Sequence, residues 1–467
     1  MKKFDNVRIR MYKQGLGDCF LVSFMEKKSS QFNIMIDFGV LLGTEDAQKE
    51  MGKVAQDIKD TANNEIDILV VTHEHWDHIS GFSQAKDIVD KLKIKQIWMS
   101  WIEDSNNELA RQILEKQNKK LETIKLAYDN LSKINNTNLK PSQKQGFNNY
   151  LRAYSSFFSI YGLNEFGIAA APSTHEIFEG LKNRQNTRTL YLEPGKKAIE
   201  PEEIEGVRIY ILGPPTSEKD LKRMNPSKNQ SEVYTDFAAS SSGDNLSVAL
   251  INFGHELEED PYKPFSSNQG IPLNEANLRN IYPNYYDPAN EWQKIEYDWL
   301  FSAGNLAIQV DNGINNTSLV IAIELVKSQK VLLFAADAQV GNWLSWFDYE
   351  WEINSGVGKE KVTVDDLLKK VVVYKCGHHG SHNATMKAQG LEKMTDTELI
   401  ALIPVSQKMA TKKGWKMPFK PLLEALNKQT NNKVIVADEP YPQNIKFDGK
   451  PDKEYQTDLY YDVYLKN

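Results

Sequence analysis

Thr72-His73-Glu74-His75-Trp76-Asp77-His78 follows directly on the run Ile66-Asp67-Ile68-Leu69-Val70-Val71. A nearly continuous apolar run of this length reads as a strand buried on both faces. The histidines therefore sit at the strand's C-terminal end, where layered α/β folds place their chemistry. Imidazole and carboxylate are good ligands for zinc and similar divalent metals. A tight loop at a strand end aims alternate residues one way, so His73 and His75 can share one metal. Asp77 and His78 can turn toward a second. The bland alternative, a polar surface loop, fits poorly with a run that starts straight off a buried strand.

One segment cannot close two metal sites, so further ligands must come from elsewhere. Phe334-Ala335-Ala336-Asp337 places an acid at the end of an apolar strand, which is costly unless the acid is paired or metal-bound. An N-cap for the segment beginning at Ala338 is the competing reading. Gly377-His378-His379-Gly380-Ser381-His382-Asn383 supplies more imidazoles, and its glycine permits close backbone approach. The chain has 8 histidines. Three lie in 73–78 and three in 378–382, so the scarce residue is concentrated. His175 and His255 stand alone in polar contexts and read as surface residues.

Outward from the histidine run, Val7–Tyr12, Cys19–Met25 and Phe32–Ile36 read as strands, with a turn at 15–18. Residues 46–63 read as a helix and Lys95–Ser100 as a strand. Residues 101–190 change character. Ser105-Asn106-Asn107-Glu108 is a capping-box sequence. Leu109, Ile113, Leu121, Ile124, Tyr128 and Leu131 follow at mainly helical spacing, and a second helical stretch is expected at 143–162. This block reads as a helical insertion that could serve as a lid, a substrate arm or a dimer surface. Strand signals resume at 206–215, followed by a polar loop at 216–242 and a strand at Leu246–Phe253. Residues 255–292 form a long polar loop with anchoring aromatics. Strands are expected at Thr317–Leu325, Lys330–Ala335, Val371–Lys375, Leu399–Val405, Val434–Ala437 and Leu459–Leu465, with a helix at 419–429.

A length of 467 residues suggests two or three domains. A single site spread from residue 73 to about 379 instead favours one domain, 1–467, interrupted by a helical insertion at 101–190 and a loop insertion at 255–300. Lys plus Arg number 56 and Asp plus Glu 63, for a net charge of −7. That argues against extended nucleic-acid binding but not against a local phosphate site. Lys408, Lys412, Lys413 and Lys416 beside Trp415 read as a solvated face. No apolar run approaches the ~20 residues of a membrane span, and the start of the chain has no apolar signal region. Cys19 and Cys376 are too few for a disulfide framework. A cytoplasmic, non-membrane protein is expected; the oligomeric state is open.

At this point the sequence resembles the metallo-β-lactamase-fold hydrolases. Their His-x-His-x-Asp-His pattern stands complete at His73, His75, Asp77 and His78. Asp37 and Gly39 match the early strand-end acid and glycine, Asp337 the bridging carboxylate, and His379 the late histidine ligand. His-His-Gly-Ser at 378–381, Gly17-Asp18 and Asn316-Thr317-Ser318-Leu319-Val320 resemble one branch. That branch holds the hydrolase domain of DNA-uptake competence proteins and the choline-phosphate esterases. The resemblance covers 7–100, 206–253 and 315–465. It departs at two points. Ala336 replaces the usual glycine before the bridging acid, which is strained if φ is positive there. The histidine that completes the first metal site is missing, and Asn315 and Asn316 stand in its place; His175 or His255 would be the substitutes.

The resemblance implies a four-layer αββα sandwich and a metal-activated water. The ligands would be His73, His75, Asp77, His78, Asp337 and His379. Two divalent ions are implied, zinc first, with manganese or iron as alternatives. Asp77 would orient the nucleophile. His382 or His378 would be the general acid, and Lys375 could pair with a phosphate oxygen. Ser381, Asn383 and Asn316 would bind substrate; for Ser381 and Asn383, ordering of the loop is an equal alternative. The branch points to a phosphoester substrate. A thioester, ester or lactam hydrolase, and a non-catalytic or redox member of the fold, are the competing classes.

Overall fold

A computed structural model describes residues 1–132, 157–163, 172–223, 313–355, 358–447 and 450–467. The expected strand at Leu246–Phe253, the loop at 255–292, His255 and most of the 143–162 helix lie outside the described residues. Fifteen strands are seen among the described residues. In chain order they are β1 (Asn6–Tyr12), β2 (Cys19–Glu26), β3 (Ser29–Phe38), β4 (Glu65–Val70) and β5 (Lys93–Ser100). Next come β6 (Arg188–Leu192), β7 (Val207–Gly213), β8 (Val320–Leu325), β9 (Lys330–Phe334), β10 (Glu350–Ser355) and β11 (Gly358–Thr363). The last are β12 (Val371–Lys375), β13 (Ile400–Ile403), β14 (Val434–Val436) and β15 (Tyr460–Lys466).

The chain is mixed α/β with two large sheets. One has the order β15-β1-β2-β3-β4-β5-β6 and the other β14-β13-β12-β9-β8-β7. Ile9, Val22, Ile36, Ile68 and Val70 of the first sheet share an apolar cluster with Ile209, Ile323, Leu332, Val373 and Leu402 of the second. Phe20 and Phe334 meet across it edge to face, at 5.6 Å. Alternate residues point the other way. Leu21, Met35, Leu69 and Ile97 pack with Met51, Val54 and Ile58. Those three lie on one face of α1 (Ala47–Thr61). Leu333, Tyr374 and Ala401 of the second sheet pack with Trp343, Trp346, Leu368, Leu422 and Leu426. Burial on both faces is why β4, β9 and β12 are rich in apolar residues.

The region expected as a helical insertion at 101–190 needs a correction. It is helical over Glu108–Ser132 and Thr174–Lys182. Its last residues, however, enter β6, which pairs with β5 in parallel. The second helix also buries Ile177, Phe178 and Leu181 against the α1 side of the first sheet. The hairpin β10–β11 escaped the sequence reading because its few apolar residues are interspersed with charges, including Glu350, Glu352, Lys359 and Lys361.

Candidate metal centre

Three loops converge at the C-terminal ends of β4, β9 and β12. After β4, His75 is extended and caps the one-turn helix α2 (Trp76–Ile79), which carries Asp77 and His78. The Gly17-Asp18 turn and Gly39 hold this loop from behind. The Asp18 amide donates to the Asp77 carbonyl and the Gly39 amide to that of Asp18, each at 3.0 Å. A Cβ on Gly17 would lie 2.6 Å from the Asp77 oxygen, so the glycine permits the approach.

Asp77, His78, Asp337 and His379 are buried, and their ligand atoms lie within 4.8 Å of one another. His78 Nε2 is 3.3 Å from Asp337 Oδ2, and His379 Nε2 is 2.9 Å from Asp77 Oδ2. The other ring nitrogens are held from outside. His78 Nδ1 donates to Asp37 Oδ2, and His379 Nδ1 to the Pro404 carbonyl, both at 2.8 Å. Such contacts fix ring orientation and aim Nε2 inward. Asp37 is itself fixed by the Thr72 amide at 2.8 Å and the Thr72 hydroxyl at 2.7 Å. That hydroxyl and Ser318 Oγ flank His73 Nδ1 at 3.0 and 3.3 Å. His73 Nε2 lies 3.0 Å from His75 Nδ1 and 4.0 Å from Asp337 Oδ2.

Asp18, Asp37 and His78 form a second close group. We read it as support for His78, because Nδ1 is already committed to Asp37. Asp18, Thr72 and Ser318 were not singled out as site residues from the sequence. Gly17-Asp18 was the visible signal for Asp18; Thr72 and Ser318 stood inside the motifs without a role of their own.

The charges show what the centre suits. Burial would lower His78, yet Asp337, Asp37, Asp77 and Asp18 raise it well above the ordinary histidine value. Burial would raise Asp337, but His78, His378 and Lys375 hold it well below the carboxylate range. Burial, with neighbouring His78, keeps His73 low and brings His75 down to about 3, which favours the neutral, ligating form of both at pH 7. Asp77 Oδ1 and His78 Nε2 are buried without a hydrogen-bond partner. Four buried carboxylates, neutral imidazoles and orphaned donor atoms fit a cation of charge two or more.

Several expected roles need correction. Lys375 is 1% exposed and its ammonium is consumed internally. It donates to Asp18 Oδ2 at 2.5 Å, the Ala336 carbonyl at 2.9 Å and Asp337 Oδ1 at 3.4 Å. An ammonium has three donors, so none is left for a phosphate oxygen. Asn316 is equally occupied. Its amide donates to the Asp220 and Leu221 carbonyls, both at 3.0 Å, and its oxygen accepts from the Asn342 amide at 2.9 Å. It ties together the chain before β8, and its side-chain groups are engaged internally. Asn316→Ala should lower stability by about 3 kcal/mol, since several buried groups lose partners at ~1–3 kcal/mol each. Denaturant unfolding, with KM unchanged in the folded fraction, is the check.

Ser381 and Asn383 bond to each other at 3.2 Å, in keeping with an ordering role for the loop. His382 is exposed against Phe419 and is not part of the close donor group. His378 is 12% exposed, with Nε2 3.8 Å from Asp337 Oδ2. Burial lowers it to about 4, which favours the neutral imidazole at pH 7. His175 is exposed, as expected, and lies 3.9 Å from Glu74.

Ala336 has φ +48°, the strained alternative for this position. The conformation turns its carbonyl toward both Lys375 Nζ and the His378 amide, the latter at 3.0 Å. Left-handed backbone costs a non-glycine residue ~1–2 kcal/mol, and glycine's extra unfolded entropy takes back ~0.5–1. Ala336→Gly should therefore raise stability by about 0.5–1 kcal/mol, read as a higher denaturation midpoint.

Beside the cluster lies a cavity of about 300 Å³, lined by Glu74, Glu103, Leu121, Tyr161, His175 and Thr317 among others. The Tyr161 ring meets His75 at 5.2 Å. The helix Glu108–Ser132 thus forms part of a wall next to the histidines.

Residues 13–96, which carry Gly17-Asp18, Asp37, Gly39 and the His73–His78 run, match the metallo-beta-lactamase superfamily. No curated protein matches the chain. The match and the buried His/Asp group together suggest a metal-dependent hydrolase. Among the described residues, no helix is long and apolar enough to cross a membrane.

Proposed function

We propose that this chain is a binuclear metal-dependent hydrolase acting on a phosphoester. The observation that carries the reading is the buried group Asp77, His78, Asp337 and His379, with His73 and His75 alongside. These six residues would hold two divalent ions, zinc first, with Asp337 Oδ2 facing nitrogens of both halves. Such ions bring the pKa of a water toward neutrality and offset negative charge developing on the substrate. Asp77 Oδ1, free of hydrogen bonds, accepts one from the attacking water and orients it. Asp37 and Pro404 keep His78 and His379 aimed inward. His378, beside Asp337 and partly exposed, takes part as a neutral hydrogen-bonding group.

Two further points support the reading. The ligands come from loops of both sheets, in keeping with a single four-layer αββα domain whose insertions add the cavity wall. The protein supplies four buried carboxylates and one buried lysine here. Two divalent ions would exceed the remaining negative charge by one, which suits an anionic substrate. The likeness to the competence-protein and choline-phosphate-esterase branch points the same way.

A panel with zinc and with manganese tests this. Bis-p-nitrophenyl phosphate, single-stranded DNA, RNA, cyclic nucleotides and a chromogenic lactam would be compared. Turnover of at least one phosphoester but not of the lactam is expected. Turnover of the lactam alone would move the assignment to carboxyl-derived bonds. A protein that takes up no metal would end the hydrolase reading altogether.

A further inference from the structure

We infer that Lys375 is a positioning residue that fixes which oxygen of Asp337 the metal centre sees; this rests on the metal-centre reading above. Lys375 is the last residue of β12, and its ammonium is buried beneath the cluster. A buried ammonium is retained at large desolvation cost and needs full compensation. It receives that from Asp18 Oδ2, the Ala336 carbonyl and Asp337 Oδ1. The two Asp337 oxygens are thereby made unequal. Oδ1 is turned to Lys375. Oδ2 is left facing His78 Nε2 at 3.3 Å, His378 Nε2 at 3.8 Å and His73 Nε2 at 4.0 Å.

The lysine's partner Asp18 also lies near His379, whose Nδ1 is held by the Pro404 carbonyl. Asp18 Oδ1 is 3.5 Å from that nitrogen. One fixed charge on a rigid strand therefore sets Asp337, on the loop after β9. A carboxylate with a free rotation could offer either oxygen, or both. With Lys375 in place it offers Oδ2 alone, the oxygen common to the His73 and His78 halves. The buried lysine, whose three donors are spent, thus shapes ligand supply rather than substrate binding.

The test is cobalt(II) titration of the metal-free full chain, followed by visible absorption and by metal content after gel filtration. Lys375→Met and the double variant Asp18→Asn/Lys375→Met are compared with wild type. The double variant removes the lysine together with its closest counter-charge, so it remains informative if the single variant does not fold. Both should bind cobalt about 10-fold or more weakly, the size seen when support around metal ligands is lost. Both should also show a shifted visible band, because Asp337 presents its oxygens differently. A merely structural lysine predicts that the folded double variant recovers the wild-type band and affinity; that result would overturn the inference while leaving the metal centre standing. A wild-type chain that binds no cobalt would overturn both.

Discussion

Asp337→Asn should abolish turnover of whichever substrate the panel identifies, by at least about 10³-fold in kcat/KM, or about 4 kcal/mol of transition-state stabilisation. Asp337 is the one carboxylate whose oxygen faces His73, His78 and His378 together. Asparagine keeps the volume, so the packing against Ala336 and Lys375 survives, but it removes the negative charge. Metal content should fall with activity, and circular dichroism should show the fold retained. His78→Ala should behave alike, since it deletes the Nε2 that Asp37 aims into the cluster. Turnover and metal content equal to wild type in Asp337→Asn would exclude this centre.

Gly39→Ala should be a strongly damaging single-methyl change. A Cβ there would fall on the Asp77 carbonyl group and the His78 amide nitrogen. These are backbone atoms of the loop that carries two expected ligands, so no side chain can swing aside. Relief requires that the loop after β4 move away from the Gly17–Asp18 turn, with loss of the Asp18–Asp77 backbone bond. Overpacking of this kind costs ~1–3 kcal/mol in cores that can adjust, and more where only backbone can yield. We expect a loss of at least about 3 kcal/mol in denaturant unfolding together with reduced metal uptake. Wild-type stability and metal content would show that the loop is looser than its packing indicates. Gly52, whose Cβ would meet nothing within 4 Å, is the matched control; alanine there should be neutral or better.

Much of the fold was legible because its strands are buried on both faces. β4, β9 and β12 are mostly apolar, and β12 falls where the sequence reading placed it, at Val371–Lys375. The exceptions share a physical cause. β6 is only partly buried at the sheet edge, and β10–β11 is a small separate sheet with charged outer positions, so neither carries a buried apolar run. The site divides in the same way. Residues that are chemically unusual in their segment stood out: three histidines in a loop and an acid after an apolar strand. Thr72 and Ser318 did not, because hydroxyl residues are common and only proximity to Asp37 and His73 gives them a role. Asn316 was misread for the complementary reason. Its polar side chain suggested substrate contact, yet it satisfies backbone carbonyls that sequence cannot bring near it.

By itself the sequence determined the alternation of buried strands, the positions of the histidine runs at their ends and the kind of chemistry those side chains allow. These are local properties, set by residue type and spacing along the chain. What only the tertiary structure decided is which groups share one space and which atoms remain available. Asp77 and His379 are 302 positions apart and meet at 2.9 Å. Lys375 looked like a free cation and proves to be a buried one with every donor engaged. Availability depends on partners brought together by the packing of two sheets, and hydrogen-bond capacity is spent or spared only there.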